Sequence, residues 1–241
     1  MTHSVDSASP SALTTGTVAR AWLVTLAAGL AAAIFTSVAG ESLMIEETGT
    51  LSKGTREIIS PVVHRTRNGM TSLGLLGGSL GLGLGLAGGL LRSSPRSAVL
   101  AGLLGVVLGV AAGAGAAKAL VPVYFSNYSG VSLGVPLLVH GGLWTSISVA
   151  AGLAFGLGFG GRGRAVDTTA YAIAGALLAT FTCEFAGVWL FPAAQTDRPL
   201  PISPESRMFT YLVVALLTAA AVAFSVSRRQ FSNLTPTPTI S

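Results

Sequence analysis

One acidic side chain lies well inside a long apolar run, and it is the residue best placed to do chemistry. Glu184 falls in a predicted membrane span at about 168–191. An ionisable group inside a span is costly and is a candidate functional group by default. His140 begins the preceding span, so a His140–Glu184 pair across this hairpin could exchange a proton. The alternative is that Glu184 lies in the outer third of its span and its carboxylate extends to the interface.

Three basic side chains occupy corresponding positions ahead of the second, fourth and sixth apolar runs. They are His64, His140 and Arg207, and each follows a proline and precedes a threonine. If the runs surround a common axis, these side chains would ring an outer vestibule. The alternative is that they are ordinary interfacial residues.

The composition indicates that membrane-spanning helices carry these side chains. Charged residues are 10% of the chain, against about 25% in soluble domains. Hydrophobic residues reach 51%, and the mean hydropathy is +0.70. A helix needs roughly 20 apolar residues to cross a bilayer. The sequence therefore predicts an all-α integral membrane protein with six spans, at about 19–40, 69–91, 97–120, 141–161, 168–191 and 208–227.

The two ends of the chain lack this apolar character. Residues 1–17, rich in Ser, Thr and Ala, predict a disordered leader, and residues 230–241 predict a disordered Thr/Pro tail. A transmembrane domain at 18–229 lies between them. The first span has an alternative interpretation as a cleaved signal peptide, because residues 37–39 resemble a cleavage site. We favour a retained span, since the stretch before it is long and carries no net charge.

Internal similarity predicts that the spans come as tandem hairpins. The glycine pattern that starts at Gly83 reappears at Gly156, 73 residues later. An Ala-Gly pair also recurs in the first, third and fifth spans. We therefore predict repeat units at about 18–91, 97–161 and 168–229, related by an approximate threefold axis along the membrane normal. A twofold repeat is the alternative.

One hairpin resembles a known family. Gly156-Leu-Gly158-Phe-Gly160, the turn Arg162-Gly-Arg164 and Glu184 stand in that order. The stretch resembles the proteolipid subunit of rotary ATP synthases, which pairs a glycine-rich helix with a carboxylate across a short polar turn. The resemblance covers this hairpin alone, and the turn lacks the family's Arg-Gln-Pro. It implies a protonatable site at Glu184 and no more of the family's function.

Glycine spacing is the most regular local pattern. Glycines four residues apart form a slowly drifting flat stripe on a helix, and such stripes let helix backbones approach closely in lipid. Packing is the favoured role, and a glycine-lined pore is the alternative. The stripes comprise Gly77, Gly81, Gly85 and Gly89, then Gly105, Gly109 and Gly113, then Gly152, Gly156 and Gly160.

Two enzyme-like patterns carry no weight in this setting. Residues 83–88 fit a dinucleotide-binding fingerprint and residues 77–81 fit a nucleophile elbow, but neither follows a strand. No metal-ligand spacing, phosphate-binding loop or catalytic triad occurs. The sequence therefore predicts a protein that is not an enzyme and has no cofactor and no metal site.

Basic residues at the ends of apolar runs indicate orientation. The net charge is +5, but the arginines occur singly or in pairs, which argues against a nucleic acid partner. Arg92 and Arg96 flank one short turn, and Arg162 and Arg164 form another. Because cytoplasmic loops are enriched in Lys and Arg, both termini are predicted to be cytoplasmic, in an inner or plasma membrane.

Two functional hypotheses follow. In the first, a non-enzymatic membrane protein packs, or assembles as a homo- or hetero-oligomer in the lipid bilayer, through its glycine faces. In the second, a small-solute or ion transporter or channel, linked to protons, uses Glu184 and the repeat axis. Transporters usually carry several polar groups or broken helices near the bilayer midplane. With one carboxylate and no proline well inside a predicted span, the sequence favours the first.

Overall fold

The computed structural model describes residues 10–44, 61–128 and 133–232, which form six long α-helices. No strand occurs in these ranges, so the predicted all-α class is confirmed. Each helix is long and apolar enough to cross a bilayer, which makes the chain a multi-pass membrane protein. In chain order the helices are α1 (Pro10–Leu43), α2 (Pro61–Leu91), α3 (Pro95–Asn127), α4 (Gly134–Gly160), α5 (Arg162–Leu190) and α6 (Pro204–Ser232).

Proline marks the beginning of α2, α3 and α6. It is tolerated there because the first N–H groups of a helix have no intrahelical acceptor. Ser94 also caps α3, since its side-chain oxygen accepts a hydrogen bond from the Ser97 N–H at 3.4 Å. Helices α2, α4 and α6 all begin before the predicted spans at 69, 141 and 208. The residues predicted to precede these spans therefore lie inside the helices.

Helices α1 and α6 extend into segments for which the sequence predicted disorder. Helix α1 begins at Pro10, eight residues before the predicted domain boundary at 18, and α6 ends at Ser232, beyond the boundary at 229. Extending an existing helix costs much less than nucleating one, so polar flanks can continue an apolar span. The rest of the leader and tail, residues 1–9 and 233–241, lies outside the described residues.

The helices pack in a closed circuit. Helix α1 contacts α2, α2 contacts α4, α4 contacts α5, α5 contacts α6, and α6 returns to α1. Helix α3 lies outside this circuit and packs against both α2 and α4. Helices α2, α4 and α6 are more buried than α1, α3 and α5. Buried polar side chains occur on these three helices and also on α1 and α5.

The two ends of the bundle differ chemically. One, the arginine end, holds the tight α2–α3 and α4–α5 connections with Arg92 and Arg164. At the other, the capped end, α2, α4 and α6 begin and the segment 191–203 lies against the helices. The Arg198 carbonyl of this segment is bonded to the His140 ring, and the Pro201 carbonyl accepts from a side chain of α6. Interior groups near the capped end are thus covered by this segment.

Candidate functional site

Hairpin geometry places His140 and Glu184 at the same level of the bundle. Helices α4 and α5 are joined by one residue, Gly161, whose φ of +83° lies in a region that glycine enters without a steric penalty. His140 precedes Gly161 by 21 residues and Glu184 follows it by 23. At about 1.5 Å per residue, the two lie at nearly equal distances from the turn. The short connection therefore sets the level of both residues.

The two side chains form a buried pair. His140 Nδ1 is bonded to Glu184 Oε1. His140 is 3% exposed and Glu184 is 6% exposed, so water has little access to either group. The Glu184 carboxylate is therefore enclosed by protein.

The hydrogen bonds of this pair limit its protonation states. His140 Nε2 lies 3.0 Å from the Arg198 carbonyl oxygen, which can only accept, so Nε2 donates its proton there. One further proton then lies between Nδ1 and Oε1. The pair is either imidazolium with carboxylate or neutral imidazole with carboxylic acid, and both arrangements have zero net charge.

A polar line continues from the pair along one face of α4. His140, Trp144 and Ser148 follow one another at intervals of four residues, which places them on the same face. The Trp144 ring stacks on the His140 ring, with centroids 5.8 Å apart. Ser148 is fully buried, and its hydroxyl forms a 2.8 Å hydrogen bond with the Thr218 hydroxyl of α6. The line therefore reaches about 12 Å deeper than His140.

Helix α6 carries a matching line of buried polar side chains. Tyr211, Thr218 and Ser225 recur every seven residues and are 1%, 0% and 5% exposed. The Ser225 hydroxyl donates to the Val222 carbonyl oxygen at 2.6 Å. Helix α6 has much less backbone contact with α2 and α4 than with α1 and α5. The polar groups therefore lie where the interior helices approach one another least closely.

Three buried polar atoms of the interior retain hydrogen-bonding capacity. Ser72 Oγ, Trp144 Nε1 and Tyr211 Oη form no hydrogen bond of normal geometry within the described part of the chain. The Ser72 and Tyr211 hydroxyls are near enough to interact electrostatically. Buried polar atoms are rarely left without partners. The Ser72 and Tyr211 hydroxyls can both donate and accept a hydrogen bond, whereas the Trp144 N–H can only donate one.

The three basic residues predicted to ring a vestibule lie in the first two turns of α2, α4 and α6. His64 is partly buried, and His140 has Glu184 as its partner. Arg207 is 8% exposed, and its Nε and Nη2 donate to the Glu41 carboxylate at 2.7 and 2.5 Å. The structure thus gives two of the three residues separate carboxylate partners on different helices.

The predicted glycine stripes of α2 and α3 lie against each other. A Cβ atom built on Gly77 would overlap the Gly109 carbonyl, and the reciprocal overlap occurs at Gly109. Gly81 and Gly105 form a second such pair. The other predicted stripe glycines of these two helices also meet backbone of the partner helix: Gly85 meets Ala101, Gly89 meets Ala98, and Gly113 meets Leu73.

The glycines of α4 lie against α5. A Cβ on Gly152 would meet Thr168 and Thr169, and one on Gly156 would overlap the Ala165 backbone. Gly160 meets only the side chain of Arg164. All ten predicted packing glycines therefore contact other parts of the same chain.

Sequence reasoning missed most of the polar interior. It did not identify Ser72, Ser148, Tyr211, Thr218 or Ser225 as interior groups. The available signal was their spacing, four residues on α4 and seven on α6, inside otherwise apolar runs. No cluster of three His, Cys, Asp or Glu able to hold a metal ion occurs in the ranges that the structure covers.

Comparison with protein families, with curated proteins and with solved structures finds no match to this chain. The function is therefore argued from the geometry of the interior alone. That geometry consists of one buried acid–base pair with Trp144 stacked on it, the buried Ser72 and Tyr211 hydroxyls, and a polar line that continues between α4 and α6.

Proposed function

We propose that the protein is a non-enzymatic membrane protein that moves protons through the interior of its helical bundle. The observation that carries this proposal is the buried His140–Glu184 pair. Both residues belong to membrane-spanning helices, where an ionisable group is expensive to retain. A carboxyl and an imidazole that share one proton are suited to pass it on.

The polar groups beyond the pair support a route for the proton. Trp144 stacks on the His140 ring, Tyr211 and Ser72 provide further buried polar atoms, and the Ser148–Thr218 hydrogen bond lies deeper than His140. Hydroxyl groups both donate and accept, so they can pass a proton along a chain. Ser225 extends the line on α6 toward the arginine end.

The packing of the helices supports the threefold repeat as part of this proposal. Each odd-numbered helix contacts two even-numbered ones: α1 contacts α6 and α2, α3 contacts α2 and α4, and α5 contacts α4 and α6. The more buried even-numbered helices would then surround the pseudo-symmetry axis. The Ser148–Thr218 bond between α4 and α6 would lie close to it.

Proton flux into liposomes tests the proposal without a known substrate. The full chain would be reconstituted with a trapped pH-sensitive dye, and a potassium diffusion potential would drive protons inward. We expect acidification well above that of protein-free liposomes. Glu184→Gln, which keeps the shape of the side chain but cannot ionise, should reduce the flux to background.

Glu205→Gln is the matched control, because Glu205 is an exposed carboxylate in the first turn of α6. It should leave the flux unchanged. The thermal unfolding of Glu184→Gln in detergent should show that the variant is folded. If wild-type protein carries no flux above background, or if Glu184→Gln carries normal flux, the proposal is wrong.

A second candidate is a structural membrane protein held together by its glycine faces, alone or as an oligomer. It is supported by the backbone contacts of Gly77 with Gly109 and of Gly81 with Gly105. Because these faces contact helices of the same chain, any oligomer would use other surfaces. Absence of proton flux together with a stable oligomer, measured by light scattering in detergent, would favour this candidate.

A further inference from the structure

The His140 nitrogen that faces the segment 191–203 is closed off by a main-chain carbonyl group. His140 Nε2 donates its proton to the Arg198 carbonyl oxygen at 3.0 Å, and His140 is 3% exposed. A carbonyl oxygen accepts a hydrogen bond but holds no proton that it could pass on. A proton therefore cannot travel between Nε2 and the water at the capped end while Arg198 keeps this position.

The segment is held in place on both sides of Arg198. The first anchor is Arg207, whose Nη1 atom donates to the Pro201 and Ile202 carbonyl oxygens at 2.9 and 2.7 Å. Arg207 is 8% exposed and is also bound to the Glu41 carboxylate. This side of the segment is therefore fixed to a buried side chain that has further bonds of its own.

The second anchor is Asp197, the residue immediately before Arg198. Its Oδ2 atom accepts hydrogen bonds from the Tyr128 hydroxyl at 2.5 Å and from the Tyr124 hydroxyl at 3.2 Å. Both tyrosines belong to α3, and their rings stack with centroids 4.8 Å apart. Tyr128 is 41% exposed, so this anchor reaches the surface of the bundle. Contacts at the surface open at a lower cost in free energy than buried ones, so the Asp197 side is the one that releases first.

We propose that His140 Nε2 is the atom through which the proton route opens at the capped end, and that the segment 191–203 is its gate. This inference rests on the proton movement that we propose for the bundle. Release of Asp197 withdraws the neighbouring Arg198 carbonyl, and a water molecule takes its place beside Nε2. The imidazolium then gives its Nε2 proton to that water, which leaves a neutral imidazole with a proton on Nδ1 beside the Glu184 carboxylate. The reverse step takes up a proton from water.

Diethylpyrocarbonate measures the opening without any flux assay, because it modifies imidazole nitrogens that solvent reaches. The full chain in detergent would be treated briefly, and the modification of His140 would be followed by peptide mass spectrometry. Tyr128→Phe removes one bond to Asp197, and Asp197→Ala removes both. Tyr128→Phe should raise the rate of His140 modification about tenfold, the effect of losing one hydrogen bond to a charged group, and Asp197→Ala by at least as much.

Tyr171→Phe is the matched control, because the Tyr171 hydroxyl accepts a hydrogen bond from Arg228 at the arginine end, far from the gate. It should leave the modification of His140 unchanged. His64, which is partly buried on α2, is the internal reference. Its modification should be the same in every variant, which shows that the bundle stays folded.

Proton flux into liposomes then tests whether the segment controls the route. Tyr128→Phe and Asp197→Ala should carry more flux than the wild-type protein. Unchanged modification of His140 in both variants would overturn the gate. Faster modification with wild-type flux would also overturn it, and the proposed proton movement would stand if Glu184→Gln still abolishes the flux. Faster modification with no flux from any of these proteins would overturn the proposed function, and with it the role of Nε2.

Discussion

Arg207 binds Glu41 through two parallel hydrogen bonds, so the last helix is joined to the end of the first. The Nε and Nη2 atoms of the guanidinium lie 2.7 and 2.5 Å from the two carboxylate oxygens. The remaining nitrogen, Nη1, donates to the Pro201 and Ile202 carbonyl oxygens at 2.9 and 2.7 Å. This arrangement closes the circuit of helices at the capped end and holds the segment 191–203 against it.

Breaking this ion pair should destabilise the bundle. Glu41→Gln removes one charge and leaves a buried guanidinium, and we expect a loss of about 2 kcal/mol in the free energy of unfolding. Arg207→Lys keeps the charge but loses the planar fork, so it should also destabilise the protein. A double-mutant cycle in detergent measures the coupling, with Glu205→Gln as a control. A coupling energy near zero would show that the pair does not hold α1 to α6.

The contact between α2 and α3 should not tolerate a methyl group at Gly109. A Cβ there would overlap the Gly77 backbone, and backbone cannot move aside cheaply. Gly109→Ala should therefore lower the free energy of unfolding by about 2 kcal/mol, and Gly109→Leu by more. Gly115 lies on the same helix with nothing within 4 Å of a Cβ, so Gly115→Ala should be neutral or slightly stabilising. Equal thermal stability of the two alanine variants would contradict the close approach.

The titration of Tyr128 should depend on Asp197. The Asp197 carboxylate accepts hydrogen bonds from the Tyr128 hydroxyl at 2.5 Å and from the Tyr124 hydroxyl at 3.2 Å. The bond to Asp197 raises the pKa of Tyr128, because deprotonation would lose the bond and place two anions together. This hydrogen bond therefore stabilises the folded protein at pH values below the ordinary tyrosine pKa of about 10. The stabilisation is lost as the pH rises through the raised pKa of Tyr128.

Ultraviolet absorbance of the phenolate measures this effect. In Asp197→Asn, phenolate should appear at lower pH than in the wild-type protein. The difference between the two titration curves should shrink when the wild-type protein and Asp197→Asn each also carry Tyr128→Phe. An identical titration curve for Asp197→Asn and the wild-type protein would show that this hydrogen bond does not raise the pKa of Tyr128.

The arginine end should face the cytoplasm. Short connections with Arg92, Arg96 and Arg162 in or beside them are the type of loop for which the positive-inside rule holds best. Single cysteines at the exposed positions Ser93 and Ala193 mark the two ends of the bundle, and the native Cys183 is buried. In intact cells, an impermeant thiol reagent should label Ala193→Cys and not Ser93→Cys. The opposite pattern would reverse the orientation, and membrane lysis should expose both sites.

The sequence by itself determined the six helices and the level of the candidate pair. Long apolar runs must form helices in a bilayer, because every backbone polar group needs an internal partner there. The short link after Gly160 then required His140 and Glu184 to lie at similar depths. Helix ends were predicted less well, since proline at the start of α2 and α6 begins each helix before its apolar run.

Only the tertiary structure decided which helices become neighbours. Glu41 and Arg207 are 166 residues apart in the chain, and Ser148 and Thr218 are 70 apart. No local pattern links the members of either pair. Lipid is as apolar as a helix face, so small-residue faces can pack against many partners and burial alone does not select one. The selection depends on the backbone contacts and hydrogen bonds that all six helices satisfy together, and these exist only in the assembled bundle.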